Sequence, residues 1–293
     1  MEVRILASES LGVRSYATFI DTGELKIIID PSMALGPRRY GLPPHKEEIE
    51  TMFNRWQLLN QYLKISNIVI VTHYHYDHHT YRNAYYISSK IILLKHPYEF
   101  NTRKHRMRAE LFMQTIRCYN AKANIQYVDG EKIKIKNTLI EFSPPLVHGK
   151  NRFQGYVLSV YITTEKKSIL FSSDVLGILT DPQKKFFMER NMDIFLLDGF
   201  PTYLLGQHYN REILEKSIDN VLEVLWKTKP EIVVLDHHCT RELNWRKSYE
   251  RLFKESPNSV RILTAAEFMK QPERLLEAKR QKLFKLFPSS EKI

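Results

Sequence analysis

The chain has 293 residues, 43% of them hydrophobic and 26% charged, and this balance is typical of a folded globular protein rather than a disordered one. Its longest apolar runs, such as Ile68–Val71 and Ile91–Leu94, are far below the roughly 18 residues that a membrane span requires. No N-terminal segment has the pattern of an export signal, and two cysteines cannot form a disulfide framework, so we expect a cytoplasmic protein without a membrane partner. None of the ten glycines forms a GxG or GxxxxGK motif, which excludes Rossmann and P-loop nucleotide sites.

Basic residues outnumber acidic ones by 44 to 33, which gives a net charge of +11. A charge of this sign is typical of proteins that contact polyanions, because Lys and Arg release counterions from phosphates. The densest basic run is Arg103-Lys104-His105-Arg106, with Arg108 just beyond it. Such a run is also typical of the solvated face of a helix, so the charge indicates an anionic partner without identifying it.

In the first half of the chain, short apolar strands alternate with amphipathic helices. Predicted strands occupy Val3–Leu6, Tyr16–Ile20, Leu25–Asp30, Asn67–Thr72 and Ile91–Leu94. Apolar residues recur at helical spacing between residues 49 and 63, and Pro97 predicts the start of a second helix. The apolar side of that second helix is predicted to consist of Phe100, Met107, Leu111 and Ile116.

The second half of the chain repeats this alternation. Its predicted strands are Thr138–Phe142, Tyr156–Ile162, Ser168–Ser172, Asp193–Asp198, Ile232–Asp236 and Val260–Leu263. Helices are predicted over Arg211–Lys227, near Trp245–Lys254 and at the basic C-terminal end. Because no linker or internal repeat interrupts the chain, we expect a single domain over residues 1–293, with helical insertions near 45–63 and 97–119. Strands in two groups, with helices between and after them, predict an α/β protein with two sheets packed face to face.

Four of the eleven histidines fall within seven residues, in the segment His73–His79 with the sequence HYHYDHH. The segment directly follows a predicted buried strand, and at such a strand end alternate side chains point to one side. His73 and His75 are therefore expected to converge on one ion, while Asp77 and His78 reach a second. Neutral imidazoles and a carboxylate are ligands for Zn²⁺ and related divalent metals. Burying so many polar groups without a metal would leave many of them unpaired, so the cluster predicts a metal site.

The spacing of His73, His75, Asp77 and His78 matches HxHxDH in full and resembles the signature of the metallo-β-lactamase superfamily. Within it, the chain resembles an uncharacterised archaeal-type branch of predicted metal-dependent hydrolases. The resemblance covers nearly the whole chain and implies a four-layer αββα sandwich of two mixed β-sheets covered by helices. It also implies three later ligands at strand ends and an early aspartate that holds a ligand histidine. The residues in those positions are His148, Asp174, His237 and Asp30.

Carried onto this chain residue by residue, the resemblance implies a dinuclear metal centre. A hydroxide that bridges the two metals would act as the nucleophile, and Asp77 would orient it or take its proton. The ions are predicted to be Zn²⁺, although Mn²⁺ and Fe²⁺ accept the same ligands. One ion is assigned to His73, His75 and His148, the other to Asp77, His78 and His237, with Asp174 bridging both.

Several side chains near these positions have alternative interpretations. His237 is preferred to His238 as the final ligand, because the spacing of His237 and Arg241 resembles that in the tRNA-processing nucleases of the superfamily. Strand alternation supports the same choice, because neighbouring side chains in a strand point to opposite faces. His79 is interpreted as a residue that supports a ligand or begins a helix. His208 is interpreted either as the catalytic proton donor to the leaving group or as a surface histidine.

Hydrolysis is predicted rather than redox chemistry, because His75 stands where the di-iron members of the superfamily have a glutamate. The leading prediction is cleavage of a phosphodiester, with nucleic acid among the candidate substrates, and it is supported by the net charge of +11. The alternative is hydrolysis of a small ester, thioester or lactone. A third interpretation is a metal-binding scaffold without activity, in which the two helical insertions occlude the site. The oligomeric state is not predicted.

Overall fold

Two mixed β-sheets form the centre of the structure, a computed structural model that describes residues 1–287. The strands of the N-terminal sheet are β1 (Glu2–Ile5), β2 (Thr18–Asp21), β3 (Lys26–Ile29), β4 (Ile68–Val71), β5 (Ile91–Leu94) and β6 (Asn124–Tyr127). They pair in the order β1-β2-β3-β4-β5-β6, antiparallel from β1 to β3 and parallel from β3 to β6.

The remaining strands form the C-terminal sheet and a short separate ladder. They are β7 (Lys132–Ile135), β8 (Thr138–Phe142), β9 (Leu146–Val147), β10 (Tyr156–Val157), β11 (Val160–Thr163), β12 (Ser168–Phe171), β13 (Ile194–Asp198), β14 (Ile232–Asp236) and β15 (Arg261–Leu263). The C-terminal sheet has the order β15-β14-β13-β12-β11-β8-β7, parallel from β15 to β12 and antiparallel from there to β7. Strands β9 and β10 pair with each other beside this sheet.

Helices precede, connect and follow the strands of both sheets. They are α1 (Lys46–Ile65), α2 (Ala84–Ile87), α3 (Arg103–Tyr119), α4 (Asp181–Met188), α5 (Arg211–Thr228), α6 (Trp245–Ser248), α7 (Glu250–Glu255), α8 (Ala265–Phe268) and α9 (Leu276–Leu286). Within residues 1–287, every helix is too short or too polar to cross a lipid bilayer.

Apolar contacts arrange these elements in four layers. Between the sheets, Ile70 of β4 and Leu93 of β5 lie in one buried cluster with Phe171 of β12 and Leu196 of β13. The opposite face of the N-terminal sheet packs on α1 and α3, and that of the C-terminal sheet packs on α4 and α5. Central strands such as β4 are therefore buried on both faces, which explains their continuous apolar sequences. The predicted αββα sandwich of two mixed sheets is confirmed.

The predicted start and apolar side of α3 are wrong. The helix begins at Arg103 rather than near Pro97, because the Thr102 side chain caps it by accepting the N–H of His105. The face packed on the sheet consists of His105, Ala109, Phe112, Met113 and Ile116, whereas Phe100, Met107 and Leu111 are exposed. Only Ile116 was assigned correctly, because the apolar residues of this segment occupy both sides of the helix.

Two other predicted elements are interrupted in the structure. The predicted strand Tyr156–Ile162 is divided into β10 and β11, because its first residues pair with β9 and its last with β8 and β12. The predicted helix near Trp245–Lys254 is divided at Tyr249 into α6 and α7. Helices near 45–63 and 97–119 are present as α1 and α3, while a single domain over residues 1–293 stays a prediction.

Candidate metal centre

The residues predicted to bind metal come from the carboxyl ends of strands in both sheets and of β9 in the separate ladder. The segment after β4 supplies His73, His75, Asp77 and His78, and the C-terminal half of the chain supplies His148 after β9, Asp174 after β12 and His237 after β14. Strand ends of this kind meet at one edge of the sandwich, and the structure brings all of these side chains together there. His75 and Asp77 are partly exposed and the others are buried.

The first group of converging atoms surrounds one oxygen of Asp174. His73 Nε2 lies 3.0 Å from His75 Nδ1 and 3.4 Å from Asp174 Oδ2. His148 Nε2 lies 3.2 Å from the same carboxylate oxygen. Three imidazole nitrogens and one oxygen therefore face a common point, which we call ligand set 1.

The second group surrounds the other oxygen of Asp174. His78 Nε2 and His237 Nε2 lie 3.0 Å and 3.2 Å from Asp174 Oδ1. Asp77 Oδ2 lies 3.9 Å from His78 Nε2. These atoms form ligand set 2, and Asp174 belongs to both sets because each of its oxygens faces one of them.

Several atoms of the ligand sets lack partners among the described residues of the protein and suit a divalent cation. His78 Nε2, His237 Nε2 and Asp174 Oδ1 are buried, and within residues 1–287 none of them has a hydrogen-bond partner. Each buried polar atom left unpaired costs about 1–3 kcal/mol. Imidazole nitrogens and carboxylate oxygens are ligands of Zn²⁺, Mn²⁺ and Fe²⁺, so bound cations would satisfy these atoms.

The pKa shifts of the histidines differ between the two ligand sets. Burial lowers the pKa of His73 well below its ordinary value, and the neighbouring His78 adds to the effect. His73 is therefore neutral, as a metal ligand must be. Burial also acts to lower the pKa of His78, but the carboxylates of Asp174 and Asp77 outweigh it and raise this pKa to about 10. Without a metal, the two carboxylates therefore favour the protonated form of His78, and a bound cation would displace that proton.

Two buried carboxylates orient the histidines of ligand set 2. His78 Nδ1 donates to Asp30 Oδ2 at 2.9 Å, and Thr72 donates to the same carboxylate through its N–H and its hydroxyl. His237 Nδ1 donates to Glu9 Oε2 at 2.7 Å. In both rings this hydrogen bond turns Nε2 toward Asp174. The contact of Asp30 agrees with the resemblance, whereas sequence patterns gave no indication of Glu9, which lies in the turn after β1.

Glu9 also connects ligand set 2 to a buried arginine. Arg241 donates from Nε to Glu9 Oε1 at 2.7 Å, and its Nη2 lies 3.7 Å from Asp77 Oδ2. The arginine four residues after His237 therefore lies between the partner of one ligand and the carboxylate of another. Glu9 and the other nearby acidic groups hold the pKa of Arg241 well above its ordinary value, although burial opposes the effect.

The other histidines with alternative interpretations occupy different positions. His238 Nδ1 lies 2.9 Å from Asp198 Oδ1, and its ring lies beside that of His237. His79 Nδ1 donates to the carbonyl of His75 and supports the ligand segment from behind. His208 lies on an exposed loop. It is not among the described residues that line the cavity at the ligand sets, so the structure does not bring it to the site.

A cavity of about 680 Å³ opens beside the ligand sets. Its acidic lining residues are Asp77 and Asp174, both of which belong to the ligand sets. His105 of α3 also lines the cavity, where burial and the nearby His148 lower its pKa to about 3. The cationic side chains of the lining are Arg14, Arg103, Lys104, Arg108 and Arg241. Arg14 is paired with Glu277 and Arg241 with Glu9, so the excess positive charge of the cavity comes from the other three cations, beside the candidate metal ligands.

Comparisons with known proteins agree with this architecture. No family model matches the chain. In structure it is similar to an isothiocyanate hydrolase from Delia radicum gut bacteria, with a TM-score of 0.54 and 17% identity over 86% of this chain and 94% of the other. This likeness shows the fold alone, and the fold agrees with the metallo-β-lactamase fold that the sequence resemblance implied.

Sequence relatives cover the whole length of the chain. A UPF0282 protein of Korarchaeum cryptofilum is 39% identical over 293 residues, which is 99% of this chain and 97% of that protein. A UPF0282 protein of Saccharolobus solfataricus is 36% identical, over 97% of this chain and 93% of its own length. The chain therefore belongs to the UPF0282 family of archaeal proteins.

Proposed function

We propose that this protein is a metal-dependent hydrolase that holds two divalent ions, with Zn²⁺ as the leading candidate, in ligand sets 1 and 2. The observation that carries the proposal is the position of Asp174, whose two oxygens each face a separate group of buried imidazole nitrogens. Paired ions supply Lewis acidity and lower the pKa of water, so a hydrolase of this type needs no serine or cysteine nucleophile.

Side chains of the protein orient the attacking water and accept its proton. Asp77 contributes Oδ2 to ligand set 2 and also lines the cavity, so we assign it the orientation of the attacking water and the acceptance of its proton. Arg241 restrains this carboxylate from behind. The cavity lies directly beside His75, Asp77 and His148, which supports access by a substrate and argues against a scaffold whose helices occlude the site.

A phosphodiester is the substrate class that the cavity supports best. Arg103, Lys104 and Arg108 line it, and within residues 1–287 none of the three forms an ion pair. Arg108 donates to the Tyr74 carbonyl and lies over the Tyr76 ring, whereas the side chains of Arg103 and Lys104 form no hydrogen bond within the described residues. Such free cations next to candidate metal ligands favour a negatively charged substrate, because they stabilise a phosphate by charge-assisted hydrogen bonds. Together with the net charge of +11, this favours a phosphodiester in a nucleotide or nucleic acid over a small ester, thioester or lactone.

A substrate panel tests the proposal. Protein loaded with Zn²⁺, Mn²⁺ or Fe²⁺ would be assayed with bis(p-nitrophenyl) phosphate, p-nitrophenyl acetate, an acyl thioester and a lactone, with His73→Ala as the metal-deficient control. We expect turnover of the phosphodiester that is lost in His73→Ala. Turnover of the ester, thioester or lactone alone would contradict the substrate class, and no turnover by a fully metal-loaded protein would favour the inactive scaffold.

A further inference from the structure

The first turn of α3 carries several basic side chains at the N-terminus of the helix, where the helix dipole is already positive. It contains Arg103, Lys104 and Arg106 and no acidic residue. The aligned peptide dipoles place partial positive charge at the N-terminus of a helix, so these cations are electrostatically unfavourable for α3 itself. Cations at a helix N-terminus break the usual preference for acidic residues there, and exceptions of this kind are expected mainly at functional sites.

The positive groups of this turn lack protein partners. The Thr102 side chain accepts the N–H of His105, and the Thr102 carbonyl accepts that of Arg106. Within the described part of the chain, the N–H groups of Arg103 and Lys104 donate to no acceptor and their side chains form no ion pair. Thr102, Arg103 and Lys104 all line the cavity beside the ligand sets, so the N-terminus of α3 borders it.

An unpaired buried imidazole in the same wall is a second, independent indication of a ligand. His105 is only 2% exposed, yet it lines the cavity, and its Nδ1 has no hydrogen-bond partner among residues 1–287. Its ring centre lies 4.5 Å from that of His75, which places it next to ligand set 1. A buried polar ring is normally hydrogen-bonded. Nδ1 lies against Gly155, so a group that enters the cavity is expected to meet the ring at Nε2, which also forms no hydrogen bond within residues 1–287.

We propose that the first turn of α3 is a subsite for a second phosphate group of the substrate, next to the phosphoryl group that is hydrolysed at the ligand sets. The subsite rests on the proposed phosphodiesterase function and adds a requirement for a further phosphate. The N–H groups and side chains of Arg103 and Lys104 bind its oxygens, and Arg108 contributes charge from the next turn. A cavity of about 680 Å³ has room for two phosphates joined by a nucleoside.

Binding of two matched nucleotides tests the subsite. Calorimetry on the metal-loaded protein would compare thymidine 3′,5′-bisphosphate with thymidine 5′-monophosphate, for the wild type and for Arg103→Ser/Lys104→Ser. We expect the wild type to bind the bisphosphate about tenfold more tightly than the monophosphate, and the double variant to bind both equally. The same comparison on metal-stripped protein isolates the subsite from the ligand sets.

Matched controls separate this role from general charge and from folding. Arg117→Ser/Lys122→Ser removes the same charge from the last turn of α3 and from the turn that follows it, where both side chains are exposed, and is expected to retain the preference for the bisphosphate. The Arg103→Ser/Lys104→Ser variant is expected to unfold at the same temperature as the wild type or higher, because it removes cations from a helix N-terminus. A purely structural role of these residues predicts the opposite.

The outcomes distinguish the subsite from the function on which it rests. Equal binding of the two nucleotides by the wild type, or an unchanged preference in the double variant, would overturn the subsite even if phosphodiesters are cleaved. Failure of the phosphodiesterase assay would be seen separately in the substrate panel. Binding of tetrathymidylate without a terminal phosphate identifies the source of the second phosphate. If it binds more tightly than the monophosphate by the same factor as the bisphosphate, the subsite accepts an internal phosphodiester. If only the bisphosphate binds more tightly, the subsite requires a terminal phosphate.

Discussion

At the scale of single residues, the centre is organised by carboxylates that fix imidazole rings. Asp30 accepts from His78, Glu9 from His237, and Asp198 lies within hydrogen-bonding distance of His238, in each case at Nδ1. This pairing fixes the tautomer of a ligand histidine and the direction of its Nε2. For His78 and His237 that direction is toward Asp174.

The two adjacent histidines after β14 are expected to differ in their effect on metal content. His237→Ala removes an atom that lies 3.2 Å from Asp174 Oδ1, so we expect it to lose the ion of ligand set 2. His238→Ala removes a ring held by Asp198 at the cavity wall, so we expect two ions per chain to remain and turnover to fall. Elemental analysis of the purified variants measures this directly, and loss of metal from His238→Ala alone would reverse the assignment.

Glu9 is expected to control metal affinity without contacting the metal. Glu9→Ala removes the acceptor of His237 Nδ1 and leaves Arg241 without its carboxylate, so we expect the affinity of ligand set 2 to fall by about 10–100-fold. Glu9→Gln retains an acceptor and is expected to lose less. Competition with a chelator measures both affinities, and equal metal retention in wild type and Glu9→Ala would show that Glu9 does not orient the ligand.

The sequence predicts which histidines and aspartates the structure brings together, but not the groups that orient them, apart from Asp30. The HxHxDH spacing confines four side chains to one strand end, and that constraint is visible in the sequence itself. Glu9 is separated from His237 by more than two hundred residues, and their contact depends on how β1 and β14 meet across the sandwich. Long-range contacts of this kind leave no local pattern.

At the scale of elements, the strand ends that carry the centre turn through left-handed backbone. Asp30, Ser173 and His237 have φ of 50°, 58° and 66°, and they follow β3, β12 and β14. Non-glycine residues rarely adopt this region, and such strain is typical of functional sites. Strand alternation does not apply to His237 and His238, because the strand ends at Asp236, and His237, His238 and Asp174 all offer atoms within reach of one another.

The ends of helices and strands are predicted best where a continuous apolar sequence marks the whole element. They are predicted worst where one side-chain contact determines the end of the element. The predicted limits of β5 and β14 are those of the structure, because buried parallel strands have continuous apolar sequences. The start of α3 depends on one side-chain cap at Thr102, and its buried face includes the polar His105. The spacing of hydrophobic residues indicates neither the Thr102 cap nor the burial of His105.

The loop before β10 is expected to depend on a glycine. Gly155 has φ 91° and ψ −154°, a region nearly restricted to glycine, and an added Cβ would lie 2.9 Å from His105 Nδ1. Backbone strain of this type costs about 1–3 kcal/mol. Gly23 has the same φ with no atom near its Cβ position, so Gly23→Ala measures the cost of a positive φ without a clash. Denaturant unfolding should show a larger loss of stability for Gly155→Ala, and equal losses would show that His105 moves aside without cost.

At the scale of the whole molecule, the ligand sets join the two sheets. The segment from His73 to His78 follows a strand of the N-terminal sheet, whereas Asp174 and His237 follow strands of the C-terminal sheet. Each ligand set contains atoms from both sides, so a bound ion contacts both halves of the sandwich. Metal binding is therefore coupled to the packing of the sheets, and not only to the local geometry of a loop.

Metal removal is accordingly expected to destabilise the entire fold. A ligand that binds only the folded state at about 1,000 times its Kd adds about 4 kcal/mol of stability, which for a chain of this size is a rise in Tm on the order of 10 °C. Adding Zn²⁺ to chelator-treated wild type should produce such a rise in differential scanning calorimetry. Asp174→Ala should show little or none, because both ligand sets lose their shared carboxylate. Equal rises in the two proteins would mean that the metal acts away from Asp174, and the ligand sets would then not be the site that connects the sheets.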